Sequence, residues 1–342
     1  SLEPAIITQQ ELNSLIEINL VKDKEKCILK PANSQKGQNI EITYSPFSLF
    51  VLDTNGEKKR IVINSNNTAV FETNRDQKKH PELFESSSFG GHEDKFKNGP
   101  TSVSLDFDFI PSDVRLSGLP SHTLPLSLQN TVGVTDPIRL FNTDINTFEH
   151  NSVMAMYGAI PFVFSHSSDG FDGLFWCNPS ETWADISDIP NESGKRLRLM
   201  SEGGYIDIFV MAGCKTPSEV SDFYTRITGR PQLVPYFGLA FHQCRWGYLT
   251  DNEVIEVDAK LDESLTPHDV LWLDLDHTDD RKYFTFHPTN FKDSSNLLDV
   301  LDKNKRQLVV LNDPHLRAED SYKIYSEAKS KKLLIRNSDG NG

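Results

Sequence analysis

Residues 270–277 read VLWLDLDH, and this stretch decides the fold of the C-terminal part of the chain. Its apolar run predicts a buried strand over Val270 to Asp274, as in parallel sheets that are covered on both faces. Two carboxylates, Asp274 and Asp276, arrive just as the strand ends. In a strand they would point the same way, because side chains alternate with a period of two. Barrel enzymes build their active sites at this end of the strands.

Similar apolar runs lie on either side of this strand. They predict strands over Leu239–Gln243 and Leu308–Asn312, and residues 333–336 resemble the beginning of a fourth. Helical periodicity covers three intervening or following segments, which are Asn252–Leu261, Ser294–Lys303 and Ala318–Lys331. This βαβαβα order predicts a parallel sheet. A complete barrel needs roughly 250 residues, so we expect the first three or four units of an incomplete (β/α)8 TIM barrel.

The N-terminal part has the pattern of an antiparallel β-sandwich, with short β-rich runs between turn clusters. The clearest strands are predicted over Ile16–Val21, Glu41–Tyr44, Leu49–Asp53, Arg60–Ile63 and Val103–Ile110. Asp53-Thr54-Asn55-Gly56 carries an Asn-Gly hairpin signal, and the polar stretch 72–100 predicts an exposed loop. A helix is expected over Ser218–Thr228. We therefore predict a sandwich domain over 1–229 and a barrel domain over 230–342.

Composition excludes several classes of function. The formal net charge of -14 is spread without long blocks of one sign, so nucleic acid is an unfavourable partner. No apolar run approaches the ~18 residues that a membrane span needs. The start of the chain shows no secretory signal, and the four cysteines leave free thiols and disulfides both open. Motifs for nucleotide cofactors or zinc proteases are missing, and we expect no cofactor and no metal.

Two more polar segments follow the predicted strands of the barrel. The first, FHQCRWGY at residues 241–248, contains Trp246 as an apolar wall for a sugar face and Arg245 as a fork that could hold carboxylates. The second, LNDPH at residues 311–315, contains Asp313 and His315. Neutral sugars suit such a mouth, because carboxylate and amide oxygens accept hydrogen bonds from sugar hydroxyl groups.

Each of these residues also has an ordinary structural interpretation. The acids could cap a loop, Trp246 could belong to the packing, and a lone histidine is usually structural. Asp274, Asp276 and Asp279 could form a calcium loop, but the sixth position of that loop is an acid instead of glycine. The functional hypothesis depends on the agreement of three successive strand ends.

The motifs FHQCRWGY, DVLWLDLDHTDDRKYFTFHPTNF and LVVLNDPH resemble the first three barrel strands of glycoside hydrolase family 31. The resemblance extends back through four segments, which are GPTSVSLDF at 99–107, DPIRLFNTD at 136–144, MAMYGAIPFVFSH at 154–166 and GLFWCNPSETWADI at 173–186. It is strongest to the endoplasmic-reticulum glucosidase II branch of the family and covers about residues 95–340. It implies a partial chain, since the family's N-terminal region normally starts well upstream.

The resemblance implies roles for individual residues. Asp274 falls on the acid that binds the nonreducing glucose, Trp246 and Leu275 line the same subsite, and Asp313 and His315 lie beside it. Asp144, on a sandwich loop, matches a residue that reaches the next sugar. His242, Arg245 and Asp276 are expected to support the pocket.

The catalytic residues of the family are expected to be missing. The family nucleophile is the Asp of a WxDMNE motif, and the acid/base Asp follows later in the barrel. None of the four methionines is preceded by aspartate. Retaining hydrolysis needs two carboxyl groups roughly 5 Å apart, so we expect this chain alone to be inactive.

The resemblance implies a retaining α-glucosidase that removes α-linked glucose from N-glycans in the lumen of the endoplasmic reticulum, together with a regulatory β subunit. An α-glucoside or a glucosylated N-glycan is the expected ligand. Two alternatives stay open. One is a noncatalytic carbohydrate-binding or chaperone-like protein built on the sandwich, and the other is an α-glucosidase or α-xylosidase of the same family with another substrate.

Overall fold

The chain forms two compact units, Ser1–Arg230 and Pro231–Gly342. The structure is a computed structural model that describes residues 18–31, 38–72, 78–79, 81, 87–89, 92–94 and 101–336. Within these residues, no helix combines the length and the apolar character that a membrane crossing requires.

The first unit is built almost entirely from short strands. They are β1 Ile18–Lys22, β2 Lys26–Pro31, β3 Ile40–Tyr44, β4 Phe47–Leu52, β5 Lys59–Ile63, β6 Val70–Glu72, β7 Ser87–Phe89, β8 His92–Asp94, β9 Ser102–Phe109, β10 Arg115–Gly118, β11 Ile138–Leu140, β12 Phe162–Ser167, β13 Gly170–Trp176, β14 Thr182–Asp188, β15 Lys195–Ser201 and β16 Ile208–Cys214. One helix, α1 Pro217–Thr228, follows them.

Two antiparallel sheets make up the body of this unit. The larger has ten strands among the described residues, in the order β1-β2-β3-β4-β5-β9-β15-β14-β11, with β6 pairing to β9. The smaller has the order β10-β12-β13-β16. This is the antiparallel sandwich that the strand pattern predicts.

The core lies between the two sheets. Alternate residues of β9, including Leu105, Phe107 and Phe109, are buried there together with Leu174 and Trp176 from β13. The Trp176 ring lies edge-on to Phe107, with 6.2 Å between ring centroids. A buried indole N–H needs a partner, and Trp176 donates to the Ser201 hydroxyl at 2.9 Å. The apolar residues that alternate along β9 in the sequence therefore form the packing face of the large sheet.

A buried ion pair also joins the two sheets. The Arg60 guanidinium on β5 donates to both carboxylate oxygens of Asp172 on β13, at 2.8 and 3.0 Å. Only 8% of the Arg60 side chain and 2% of the Asp172 side chain are exposed. The Asp172 carboxylate also accepts from the Gly213 N–H at 2.8 Å. Such a two-pronged geometry offsets part of the cost of burying the charges.

Helix α1 covers the outer face of the small sheet. The Thr216 hydroxyl accepts from the Glu219 N–H and Pro217 occupies the first turn, which are favourable helix-start residues. Val220 packs there against Met211 and Cys214. The helix therefore begins one residue earlier than the sequence predicts.

The predicted hairpin at residues 53–56 is confirmed, although its turn is not the two-residue form. The Gly56 N–H donates to the Asp53 carbonyl at 3.0 Å, and Gly56 has a positive φ of 78° that suits glycine. Most of the stretch 72–100 lies outside the described residues. The described part contains β7 and β8, which pair with each other.

The second unit is a small α/β assembly. Its elements are β17 His242–Gln243, α2 Asp251–Glu263, β18 Val270–Leu273, α3 Ser294–Lys303, β19 Gln307–Val310 and α4 Lys323–Ser330. The three strands are parallel and adjacent in chain order. Its core is formed by buried side chains of β18, α2 and α3, among them Leu271, Leu273, Val254 and Leu297.

Some predicted elements are shorter than expected. The first barrel strand has two residues instead of five, since Leu239 ends a 3₁₀ turn and residues 240–241 form no strand. Helix α4 begins at Lys323 instead of Ala318. Residues 333–336 form no strand, so the second unit has three barrel strands within the described residues. Apolar character alone was misleading for residues 333–336, since a strand also requires a partner for its backbone groups.

We expect the Arg60 to Asp172 pair to be the most sensitive ionic contact of the first unit. Arg60→Ala leaves a buried carboxylate without its counter-ion, which should lower the free energy of unfolding by about 3 to 5 kcal/mol in urea titrations. Lys26→Ala is the control, because its 3.4 Å pair with Glu41 is far less buried, with 41% and 26% of the two side chains exposed, and should contribute at most about 1 kcal/mol. Equal losses in the two variants would contradict this assignment.

The four cysteines are free thiols and differ in access. Cys27 and Cys214 are buried, Cys177 is half-buried and Cys244 is exposed. Burial raises the pKa of the Cys214 thiol to about 11, so its reactive thiolate is scarce at pH 8. A disulfide-exchange reagent at pH 8 should therefore modify Cys244 first and Cys214 much more slowly. Cys244→Ser should remove the fast phase, and fewer than four reactive thiols in denaturant would overturn the free-thiol assignment.

Candidate functional site

The parallel register brings three chain segments to one edge of the sheet in the second unit. His242 pairs with Val270, and Leu273 pairs with Val310. The strands run in the same direction, so the residues that follow each of them emerge at the same edge. The mouth predicted from the sequence is therefore present in the fold.

Asp274 caps a turn at the end of β18. Its Oδ1 atom accepts from the Leu275 N–H at 2.7 Å, where a short 3₁₀ turn over Leu275–His277 begins. The expectation that Asp274 and Asp276 point the same way along a strand is wrong. The strand ends at Leu273, and the period-two rule does not apply to a 3₁₀ turn.

Asp276 instead joins two of the mouth segments. Its Oδ2 atom accepts from the Gly247 N–H at 3.0 Å, and Oδ1 lies 3.6 Å from the Arg281 guanidinium. A carboxylate can accept several bonds at once, so one side chain fixes the segment after β17 against the segment after β18. This geometry supports the predicted supporting role of Asp276.

Arg245 lies beside a carboxylate, as the sequence suggests, and that carboxylate belongs to Glu253 on α2. Its guanidinium donates to the Gly247 carbonyl at 3.0 Å and lies 3.7 Å from Glu253 on α2. It also stands over the Tyr248 ring, 5.1 Å from the centroid. Arg245 therefore shapes the tight turn after β17 and contacts the helix that follows.

His242 is held between two partners. Its Nδ1 atom accepts from the Trp272 indole N–H at 3.0 Å, and its Nε2 atom lies 2.9 Å from the Phe237 carbonyl. An indole N–H can only donate, so Nδ1 carries no proton and Nε2–H donates to the carbonyl. The two bonds fix one tautomer of the His242 ring. Through Trp272, His242 also links β17 to the neighbouring strand β18.

The third segment is tied to the mouth by a residue that the sequence did not single out. Tyr283 comes back from the loop after β18, and its hydroxyl donates to Asp313 Oδ2 at 2.6 Å. The same hydroxyl lies 3.4 Å from His315 Nε2. Burial, together with the bond to Asp313, raises the pKa of the Tyr283 phenol to about 12. The only available signal was its place in the family-like segment HTDDRKYFTF.

The remaining predicted residues of the mouth offer accessible surface. The Trp246 side chain is 71% exposed, His315 is exposed, and Leu275 is half-buried. Partial burial and the Asp274 carboxylate raise the pKa of the Cys244 thiol. The mouth thus combines an open aromatic face with acceptor oxygens.

Asp144 belongs to the first unit, on the loop that follows β11. The Tyr157 hydroxyl donates to Asp144 Oδ1 and also lies 3.3 Å from the Ile145 carbonyl. The Thr143 N–H donates to the Met156 carbonyl at 2.8 Å. Accepting the hydrogen bond, the Asp144 carboxylate raises the pKa of the Tyr157 phenol. The exposed carboxylate is therefore anchored by a second loop, which sequence reasoning missed.

The mouth offers groups that suit a polar ligand. Across the parts of the chain that the structure describes, no three His, Cys, Asp or Glu side chains are grouped so as to hold a metal. Carboxylate oxygens accept hydrogen bonds from hydroxyl groups, and an exposed indole offers an apolar face. A neutral sugar presents both kinds of surface.

Comparison with known proteins identifies both units. Residues 4–185 match the glycosyl hydrolase 31 N-terminal galactose mutarotase-like domain, and residues 231–342 match the glycosyl hydrolases family 31 TIM-barrel domain.

Individual proteins agree with these matches. The chain is 39% identical to neutral alpha-glucosidase AB of Dictyostelium discoideum, over 74% of this chain and 27% of that protein. It is 35% identical to the glucosidase 2 subunit alpha of Saccharomyces cerevisiae, over 89% of this chain and 32% of that protein.

A crystal structure of the ER glucosidase II heterodimeric complex, with its catalytic subunit and the binding domain of the regulatory subunit, superposes with a TM-score of 0.87 at 34% identity. That alignment covers 95% of this chain and 37% of the solved chain. The chain thus spans about a third of the length of the relatives that it matches. With both units matched and these relatives alike, the chain belongs to glycoside hydrolase family 31.

Proposed function

We propose that this chain supplies the sandwich and part of the sugar pocket of a retaining α-glucosidase of the glucosidase II type, which removes α-linked glucose from N-glycans. The observation that carries the proposal is the convergence of three strand ends on one mouth, with Asp274 at its centre. The names of the glucosidase relatives support the substrate class.

In this proposal the Asp274 carboxylate accepts hydrogen bonds from hydroxyl groups of the terminal glucose. Its Oδ1 atom is engaged by the Leu275 N–H, which holds the carboxylate in one orientation and leaves Oδ2 for the sugar. Trp246 and Leu275 supply the apolar wall, and Asp313 with His315 borders the subsite. Asp144 is assigned to the following sugar of the glycan, in line with the family resemblance.

The supporting residues keep these groups in place. Asp276 braces the turn at Gly247, His242 links β17 to β18 through Trp272, and Arg245 shapes the turn that carries Trp246. None of these three needs to touch the sugar. We also propose a domain boundary at residues 229–230, one residue before the passage from Arg230 to Pro231 that separates the two compact units.

The reaction itself is assigned to residues that these 342 positions do not contain. A retaining mechanism needs a nucleophile and an acid/base, and the family's Asp-Met-Asn-Glu nucleophile motif is absent from the sequence. We propose that Asp274 holds the substrate and that the intact protein works in the lumen of the endoplasmic reticulum. The solved heterodimer supports a regulatory subunit as its partner.

The purified chain should not hydrolyse an aryl α-glucoside above the uncatalysed rate. Without the nucleophile, losses of many powers of ten are expected, as for other enzymes that lose theirs. The measurement is release of the aryl group at neutral pH, with a family 31 α-glucosidase as the positive control. Turnover that co-purifies with the chain would overturn the assignment of the reaction to residues that these 342 positions do not contain.

Asp274→Asn tests the pocket directly. The asparagine side chain can still cap the 3₁₀ turn, but it removes the charge that accepts sugar hydroxyls, so affinity for methyl α-glucoside should fall about tenfold or more, in line with the strength of hydrogen bonds to charged groups. Ligand-observed NMR measures the change, and Asp299→Asn on the exposed face of α3 is the matched control. Unchanged affinity in Asp274→Asn would exclude the proposed subsite.

A further inference from the structure

A second cleft lies within the first unit, and its residues are remote in sequence from the mouth of the barrel strands. Its volume is about 750 Å³, within the range of small-molecule binding sites. The floor is the outer face of the large sheet, where four residues lie side by side across four strands. The row is Phe50 on β4, Val62 on β5, Asp108 on β9 and Arg196 on β15. The floor thus passes from aromatic to ionic along one line.

The ionic end of the floor is fixed. Arg196 donates from Nε to Asp108 Oδ1 at 2.7 Å and from Nη2 to Oδ2 at 2.9 Å. It also donates to the Ser65 hydroxyl at 3.2 Å, and the Asn66 amide oxygen accepts from the same guanidinium. The Asp108 side chain is 3% exposed. These contacts hold Ser65 and Asn66 at the rim of the cleft.

The walls are rigid turns. The buried Asn64 side chain donates to the Phe47 carbonyl at 2.6 Å and accepts from the Ala69 N–H at 2.9 Å. It thereby joins the turn after β5 to the hairpin between β3 and β4. The Thr43 hydroxyl donates to the Pro46 carbonyl at 3.0 Å within that hairpin. A third wall comes from the turn at Pro190 to Glu192.

The chemistry of the cleft is balanced in charge. Its lining contains three cations and three carboxylates, which are Lys24, Lys59, Arg196, Glu25, Asp108 and Glu192. Such a balance favours neither an anion nor a cation. Apolar surface comes from Tyr44, Pro46 and Phe50, and the Lys59 ammonium stands 4.5 Å from the Phe50 ring centroid as a donor above the floor. Hydroxyl and amide groups of the turn after β5 add further polar contacts.

We propose that this cleft is an accessory binding site for a neutral sugar residue. A pyranose has apolar C–H faces, which match the aromatic and proline surfaces, and a ring of hydroxyls, which match the amide, hydroxyl and charged groups. The residues of this cleft differ from those assigned to the sugar pocket, and the proposal does not depend on the proposed hydrolase function. The cleft would hold a glycan at a point remote in sequence from Asp274.

The test uses the ¹⁵N-labelled 342-residue chain, titrated with maltotriose and with α-linked mannobiose. Amide signals of Ser65, Asn66 and residues 192–196 should shift in a saturable way. Glucuronate and glucosamine should bind at least fivefold more weakly, because the cleft is neutral overall. Asn66→Ala should weaken binding about tenfold, since it removes an amide at the rim.

The controls separate the cleft from the barrel and from misfolding. Asn55→Ala, on an exposed turn of the same sheet outside the cleft, should bind like the unmodified chain, and Asp274→Asn should keep the cleft shifts. Glu192→Gln is a second cleft variant, on another wall, and should also weaken binding. It replaces Asn66→Ala in the test if that variant fails to fold. The proposal is overturned if no shifts occur at the cleft, if shifts occur only in residues 231–336, if charged sugars bind more tightly, or if both cleft variants bind normally.

Discussion

Parallel pairing of three strands is the constraint on which the barrel site depends. Because β17, β18 and β19 run in the same direction and in register, the chain must leave all three at the same edge. The residues that follow the strands are far apart in sequence but lie close together in space. A catalytic or binding mouth can therefore be built by choosing polar residues at three strand ends, while the strands themselves stay apolar.

Side chains at this mouth form hydrogen bonds between the segments that follow the strands. Asp276 reaches the turn that carries Trp246, and Tyr283 reaches the segment that carries His315. His242 adds a bond between neighbouring strands on the same side. In the sandwich, by contrast, the corresponding task of joining separate layers falls to Arg60 with Asp172 and to Trp176 with Ser201. Both units thus use a few directional bonds where apolar packing alone would not fix the register.

The sequence was a good guide where the period of the pattern matched the structure. Alternation in residues 103–109 located the central strand of the sandwich, and the apolar run ending at Leu273 located the middle strand of the barrel. It was a poor guide where partners decide the outcome. Residues 333–335 are apolar but form no strand, and Leu239, predicted to begin the first barrel strand, instead ends a 3₁₀ turn.

The candidate site shows the same limit. Strand ends identified Asp274, Trp246 and Asp313, because their positions follow from the chain direction. The partner of Arg245 could not be predicted, since Glu253 lies on the next helix and its approach depends on the turn at Gly247. Tyr283 was missed for a similar reason. Its loop returns to the mouth over a path that no local pattern in the sequence describes.

The bond from Tyr283 to Asp313 has a consequence for ligand affinity. The Asp313 carboxylate is already oriented by a buried phenol before any ligand binds. A side chain that is held in advance loses little rotational freedom on binding, and ordering each mobile side chain costs about 0.5 to 1.5 kcal/mol. Part of the ordering that a looser pocket would undergo at each binding event is therefore completed here during folding, by the loop after β18.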